Sequence, residues 1–220
     1  MRTRARSLAA LLVLAGLTLG AGAASVRLDD WDAYKPGPLD LGGVWQPYPA
    51  GLKFKQAPAI VLEGTRPTLL LKTEDEPLRI GRAVKVNPRE TPWLMWDWKA
   101  LVLPEGGDVR DPKRNDQAGR VMVMFEGMKG LLYVWDTTAP VGTESRSDGF
   151  EIFQRVLLVV RSGPQSVGHW ESQRRNVYSD YRRLFESEPR GIKWIGLESH
   201  SNDTHTRTAV VFGGLRFEAR

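Results

Sequence analysis

Eight short runs rich in Val, Leu and aromatic side chains recur through the chain. They are Thr68–Lys72, Ile80–Val86, Trp93–Leu101, Arg120–Phe125, Leu131–Trp135, Arg155–Arg161, Ile192–Glu198 and Thr208–Glu218. Each is bounded by Pro, Gly, Asp or Asn, the punctuation of strands rather than helices. Connections such as Pro104-Glu105-Gly106-Gly107 and Pro140-Val141-Gly142 carry turn chemistry. Many strands and few helices predict a mainly β protein, an antiparallel β-sandwich. Strand alternation places Leu94, Trp96 and Trp98 on an inner face. Trp93, Met95, Asp97 and Lys99 then lie on a mixed face. Val156–Val160 is apolar on both faces and is expected to be central and covered on both sides.

Two segments break the pattern. From Ser25 to Gly64, Pro36, Pro38, Pro47, Pro49 and Pro58 forbid a long helix. One or two short strands are expected there, with Trp31, Tyr34, Trp45 and Tyr48 packing the segment on the body. Trp170–Phe185 has helical spacing instead. Trp170, Val177, Tyr178, Tyr181, Leu184 and Phe185 share one side, and Glu171 precedes Arg175 by four. This predicts one amphipathic helix, a lid on an edge or face of the sandwich. Glu188-Pro189-Arg190-Gly191 stops it.

The N-terminus reads as a leader. Arg2, Arg4 and Arg6 precede an apolar run, Leu8 to Leu19, and then the small-x-small site Ala21-Gly22-Ala23. That is the order of a secretory signal. The run is too short for the ~20 residues that span a bilayer. Residues 1–23 are read as a signal peptide, with an uncleaved anchor as the alternative, and 24–220 as a single β-sandwich domain. The chain is expected in the periplasm or secreted, with no stable membrane span after cleavage. Its formal charge is +5, from 31 basic and 26 acidic side chains. Removing the three leader arginines leaves 28 basic groups, or +2, too balanced for a nucleic-acid partner. There is no cysteine in the 220 residues, so export brings no disulfide and the fold must hold by its core.

No nucleophile elbow, phosphate loop or zinc-protease helix is present, and no cofactor is implied. His200 and His205 flank Asn202 and Asp203 on an expected loop. Two imidazoles with Asp203 suit a transition metal, and an exposed polar loop is the alternative. Glycoside chemistry needs two carboxylates across the scissile bond. Asp97, Glu126 and Glu198 lie in or at the ends of strands, and Asp108, Asp111 and Asp116 share one charged loop with Arg110, Lys113 and Arg114. Sugar binding needs flat rings and planar polar groups. Trp96 and Trp98 read as core, so Trp45, Tyr48 and Trp135 are the ring candidates. Arg120, Arg161, Arg175 and Asp180 are charges beside apolar runs. Arg175 and Asp180 are expected to form an ionic network tying the helix to the sheet, or the arginines line a cleft for an acidic or hydroxyl-rich ligand. The candidate ligand set is Trp45, Tyr48, Asp116, Arg120, Trp135, Arg161, Arg175 and Asp180. No catalytic residue and no metal ligand is assigned.

Several stretches carry a family resemblance in order. They are Pro92-Trp93-Leu94-Met95-Trp96-Asp97-Trp98-Lys99, Leu103-Pro104-Glu105-Gly106-Gly107-Asp108, Ala118-Gly119-Arg120-Val121-Met122-Val123-Met124-Phe125 and Tyr133-Val134-Trp135. Pro140-Val141-Gly142-Thr143, Val160-Arg161-Ser162-Gly163 and Arg175-Asn176-Val177-Tyr178-Ser179-Asp180-Tyr181 follow. Across residues 45–217 the chain resembles the bacterial family catalogued as domain of unknown function 3047, which brings no settled activity. Ile192-Lys193-Trp194-Ile195-Gly196-Leu197 and the closing run Val210–Phe217 also resemble the last strands of jelly-roll carbohydrate-binding modules. The chain departs from the family at two places. His200-Ser201-Asn202-Asp203-Thr204 stands where the family has Asp-x-Asp-Asn-Thr, and Gly214 where it commonly has Asp. Both changes remove carboxylates that a calcium site would need.

The function expected from these features is an exported, non-enzymatic β-sandwich that binds a glycan or other cell-envelope component. One alternative is an assembly subunit of a periplasmic complex, with Leu39–Ala59 lying on an envelope protein partner. The other is a carbohydrate-active hydrolase or lyase using the Asp108–Asp116 loop.

Overall fold

The computed structural model describes residues 25–147 and 153–219. The expected signal, residues 1–23, lies outside the described residues. The strands are β1 Ser25–Arg27, β2 Gly37–Pro38, β3 Gln46–Pro47, β4 Ala59–Glu63, β5 Arg66–Glu74, β6 Pro77–Val86 and β7 Trp93–Val102. They continue as β8 Gly119–Phe125, β9 Lys129–Asp136, β10 Glu144–Ser147, β11 Gln154–Ser162, β12 Glu171–Asn176, β13 Ile192–His200 and β14 Arg207–Glu218. One helix, α1, spans Val177–Phe185, and a 3-10 turn covers Trp31–Ala33.

Two sheets face each other. Sheet A runs β12-β7-β14-β5-β4-β2, with β1 paired to β14, and sheet B runs β10-β11-β9-β8-β13-β6-β3. Pairing is antiparallel except between β9 and β11. That exception has a topological cause: β11 inserts between β9 and β10, so it runs against β10 and along β9.

The facing layers bury the rings that alternation places inward. Leu94, Trp96 and Trp98 on β7 are buried, while Trp93, Met95, Asp97 and Lys99 are half-buried on the other face. Trp96 stacks on Tyr133 of β9 at 5.4 Å, and Trp98 meets Trp135 and Phe212 at 5.7 and 6.2 Å. Each such side chain contributes about 1.5–3 kcal/mol by burial, enough in sum to hold a sandwich without disulfides.

The N-terminal segment carries four short strands rather than one or two, because β1 to β4 each add to an existing sheet edge or strand. Trp31 and Trp45 pack with tilted rings 4.8 Å apart inside the core. Leu39 is buried as well, so most of the apolar content of this segment is spent on the chain's own body.

The helix is shorter than its periodicity predicts. Glu171–Asn176 is a strand, hydrogen-bonded antiparallel to β7, and only Val177–Phe185 is helical. The open edge of β7 supplies hydrogen bonds that outweigh helical spacing. Asn176 then starts the helix, its side chain accepting from the Ser179 amide at 2.9 Å. The expected Glu171–Arg175 pair is replaced: Glu171 meets Arg161 at 3.0 Å and Arg175 meets Asp180 at 2.8 Å. The helix closes one end of the sandwich through Tyr181, which lies 4.5 Å from Phe125.

Sheet B is apolar on both faces, and this sets up the site. Val121, Val123, Tyr133, Val156 and Leu158 point into the sandwich. Met122, Met124, Leu132, Val134, Leu157 and Val159 point outward and form a second cluster under Val109, Ala139, Tyr48, Phe153 and Trp194.

Candidate functional site

One end of that outer face is polar. Register places Glu198 of β13 opposite Arg79 of β6 on one side and Arg120 of β8 on the other. Arg120 in turn stands opposite Val134 of the outer cluster, so the row Arg79–Glu198–Arg120 faces outward. Arg155 reaches the same place from β11, His200 from the end of β13, and Asn202 and Asp203 from the turn that follows. Together with Asn115, Leu132 and Leu157 these side chains line a pocket of about 140 Å³.

Arg120 and Glu198 are 4% and 2% exposed, so their charges must be matched inside the protein. Arg120 Nη1 lies 3.6 Å from Glu198 Oε2, and Nη2 donates to the Asn115 carbonyl. Burial pushes the guanidinium down to about 10 against the pull of Glu198, so it stays charged at neutral pH. Burial pushes the Glu198 carboxyl up, but the charges of Arg120 and Arg79 outweigh it and hold the group below its ordinary value.

His200 Nε2 lies 3.0 Å from Arg79 Nε and 3.2 Å from Glu198 Oε2. One ring nitrogen cannot accept from the first and donate to the second. A guanidinium is always a donor, so Nε2 accepts from Arg79 and the imidazole is neutral. Burial, with Arg120 nearby, agrees: it drives the imidazole down to about 3 despite Glu198.

Asp116 holds the rim. One carboxylate oxygen accepts from the Asp203 and Thr204 amides at 2.9 and 2.7 Å and from the Thr204 hydroxyl at 2.8 Å. This pins the β13–β14 turn, and with it Asn202, over the pocket. The Asp203 carboxyl is pushed up by burial and by Asp116. Tyr48 borders the site, its phenol raised by burial within the fields of Arg155, Glu198 and Arg79. Its ring lies 6.0 Å from Trp194. Trp194 lies flat across β6 because Gly81 has no side chain; a Cβ there would overlap the indole nitrogen.

Of the sequence-derived ligand set, Arg120, Asp116 and Tyr48 come together here. The other five lie elsewhere. Trp45 is fully buried, with Nε1 donating to Asp30 at 3.3 Å and Arg82 over its ring. Trp135 is fully buried, with Nε1 donating to the Gly163 carbonyl. Neither offers a ring face to a sugar. Arg161 is turned away from Arg155 by a bulge between Val159 and Arg161, and it pairs with Glu171 and Ser166. Arg175 and Asp180 form the structural network: Asp180 accepts from Arg175 at 2.8–3.0 Å and from the Tyr133 hydroxyl at 2.9 Å, tying α1 to sheet B.

The two imidazoles of the metal reading are separated. His200 is buried in the pocket, whereas His205 is exposed and bonded to Asp75 at 2.7 Å. Among the described residues no group of three His, Asp or Glu has metal-binding geometry. The carboxylates of the charged loop do not converge either. Asp108 binds Arg110, Asp111 accepts from the Lys113 amide, and Asp116 faces the β13–β14 turn. Asp97 pairs with Arg66 on sheet A.

Arg79, Arg155, Asn115 and Asn202 were not candidates on sequence. Arg79 and Arg155 carry the same signal that singles out Arg120, a charge beside an apolar run, but only register shows which of these arginines meet. A wider hollow of about 490 Å³ at the end of α1 is open surface, where Arg182 and Glu188 pair with one another at 2.9 Å.

The family model described as protein of unknown function (DUF3047) matches residues 45–216. No curated protein matches the sequence. Among solved structures, the chain is similar to the xyloglucanase domain of NopAA, a type three effector from Sinorhizobium fredii, in complex with cellobiose. The identity is 8%, over 80% of this chain and 93% of that one, with a TM-score of 0.48. The family 11 xylanase from Neocallimastix patriciarum is similar at 10% identity, over 84% and 100%, with a TM-score of 0.43. The family 30 carbohydrate-binding module of a cellulosomal cellulase of Clostridium thermocellum is similar at 9% identity, over 83% and 92%, with a TM-score of 0.39.

Proposed function

We propose, for a chain that belongs to the DUF3047 family of proteins of unknown function, that it is an exported protein whose sheet B pocket binds one polar end group of a glycan or other envelope component. The observation that carries this reading is the convergence of Arg79, Arg120, Arg155, Asn115 and Asn202 on a single pocket over an apolar sheet. Only Leu132 and Leu157 among the lining residues are apolar, and the guanidinium and amide groups that make up most of the rest suit a hydroxylated ligand. At about 140 Å³ the pocket is well below the ~300–1,000 Å³ of sites for drug-sized ligands. It suits one terminal unit rather than a polymer lying in a cleft.

Glu198 is a buried counter-ion to Arg120. A carboxyl held below its ordinary value stays ionised and is no general acid near neutral pH. Export rests on the leader-like order of residues 1–23. Among the described residues no helix is long and apolar enough to cross a membrane.

The test is retention of the purified chain on glycan arrays and on cell-wall polysaccharide, compared with Arg155→Gln. Binding that the substitution abolishes supports the reading. Equal binding by both chains places the ligand elsewhere, and no binding on either support removes the reading. Fractionation with N-terminal sequencing tests export; a cytoplasmic chain beginning at Met1 overturns it.

A further inference from the structure

We propose that the pocket is selective for acidic sugars, with the Arg79 guanidinium receiving the carboxylate and Arg120 and Asn202 meeting a ring hydroxyl. This rests on the binding reading above and narrows its ligand.

The charge pattern points to an anion. Three guanidinium groups line the pocket against one lining carboxylate, Asp203. Glu198 lies behind, paired with Arg120, and Asp116 gives its Oδ2 to the turn it pins while its Oδ1 is buried without a partner among the described residues. Arg79 enters no ion pair closer than 4 Å among the described residues. Its one side-chain bond among the described residues, from Nε to His200, fixes the plane of the guanidinium and leaves both Nη groups to the pocket. A fixed planar fork matches a carboxylate in bidentate fashion. The neutral imidazole holds that fork without adding or cancelling charge.

A second observation asks for hydroxyls. Among the described residues Arg120 Nε, on a side chain more than nine-tenths buried, has no hydrogen-bond partner, and neither does the buried Oδ1 of Asn202. Nε needs an acceptor and Oδ1 needs a donor. A carboxylate offers acceptors only, whereas a hydroxyl supplies both. The two requirements together describe a hydroxylated monocarboxylic acid, which is the chemistry of a uronic-acid end unit.

The experiment is isothermal titration calorimetry of the full chain at low salt against glucuronic acid, its methyl ester, glucose, acetate and inorganic phosphate. Glucuronate is expected to bind at least tenfold more tightly than each of the others. Arg79→Gln is expected to remove that tenfold preference, bringing glucuronate to the affinity of its methyl ester, and Arg79→Lys is not expected to restore it. Equal affinity for acid and methyl ester overturns the acidic selectivity while leaving the pocket as a sugar site. Acetate or phosphate as tight as glucuronate overturns the requirement for a sugar. Unchanged selectivity in a folded Arg79→Gln chain moves the carboxylate to another residue and overturns the assignment. If no sugar or anion binds the folded chain, the pocket reading falls and this inference with it.

Discussion

Arg79 donates its Nε–H to Nε2 of His200 over 3.0 Å, and this bond requires an unprotonated imidazole inside the protein. The sign of the pH effect follows. The imidazole titrates at 6.5 when unfolded and at about 3 when folded. Between those values the unfolded chain holds more protons, so stability falls as pH is lowered through the window. Glu198, held below its ordinary value of 4.5 in the folded protein, adds loss in the same direction below 4.5. For His200 the slope is at most about 1.4 kcal/mol per pH unit. His200→Gln keeps an acceptor for Arg79 and should flatten the pH dependence between 6.5 and 4.5 while leaving the acid limb. Urea unfolding across pH measures this; matching slopes for parent and variant would falsify the neutral-imidazole assignment.

Glu198 sits between two guanidinium side chains in register, Arg79 and Arg120. Removing its charge leaves Arg120 buried without a counter-ion. Glu198→Gln should therefore cost about 3–5 kcal/mol, the range for breaking a buried ion pair by deleting one partner. Denaturant midpoints give the value. A cost below about 1 kcal/mol would show that Arg120 reaches water in solution.

Arg175 serves the fold rather than the pocket. Its bonds to Asp180, which also accepts from Tyr133, join α1 to sheet B. Arg175→Ala should lower stability by about 1.5–3 kcal/mol, the value of hydrogen bonds to charged groups. Affinity for pocket ligands should not change. Thermal unfolding and calorimetry read the two effects separately, and a tenfold loss of affinity with an unchanged melting temperature would reverse the assignment.

Gly81 gives room to the Trp194 ring. Gly81→Ala forces the indole off β6 and disturbs its contact with Tyr48 at the border of the pocket. Overpacking of this kind costs about 1–3 kcal/mol. Near-ultraviolet circular dichroism and ligand affinity should both change. A substitution silent in both would mean that Trp194 is mobile on that face.

The strands of the body were legible in the chain because period-2 alternation and turn residues are local properties. Leu94, Trp96 and Trp98 point inward as alternation requires, and all eight expected runs lie within strands. The helix was half legible. Val177–Phe185 obeys its spacing, but Glu171–Asn176 has the same local pattern and becomes a strand because the edge of β7 was free to bind it. Local periodicity carries no information about an unpaired edge elsewhere in the chain.

The pocket shows the same division more sharply. Arg120, Asp116 and Tyr48 could be nominated as polar or aromatic residues beside apolar runs, and so could Trp45, Trp135, Arg161, Arg175 and Asp180. Composition and alternation decide that such side chains exist and which strands carry them. Register across β6, β13 and β8 decides that Arg79, Glu198 and Arg120 form one row, and a single bulge decides that Arg161 does not join Arg155. The reason is physical: alternation is set by bonds between neighbouring residues, whereas convergence is set by hydrogen bonds between strands far apart in the chain, where a shift of one residue sends every side chain to the opposite face.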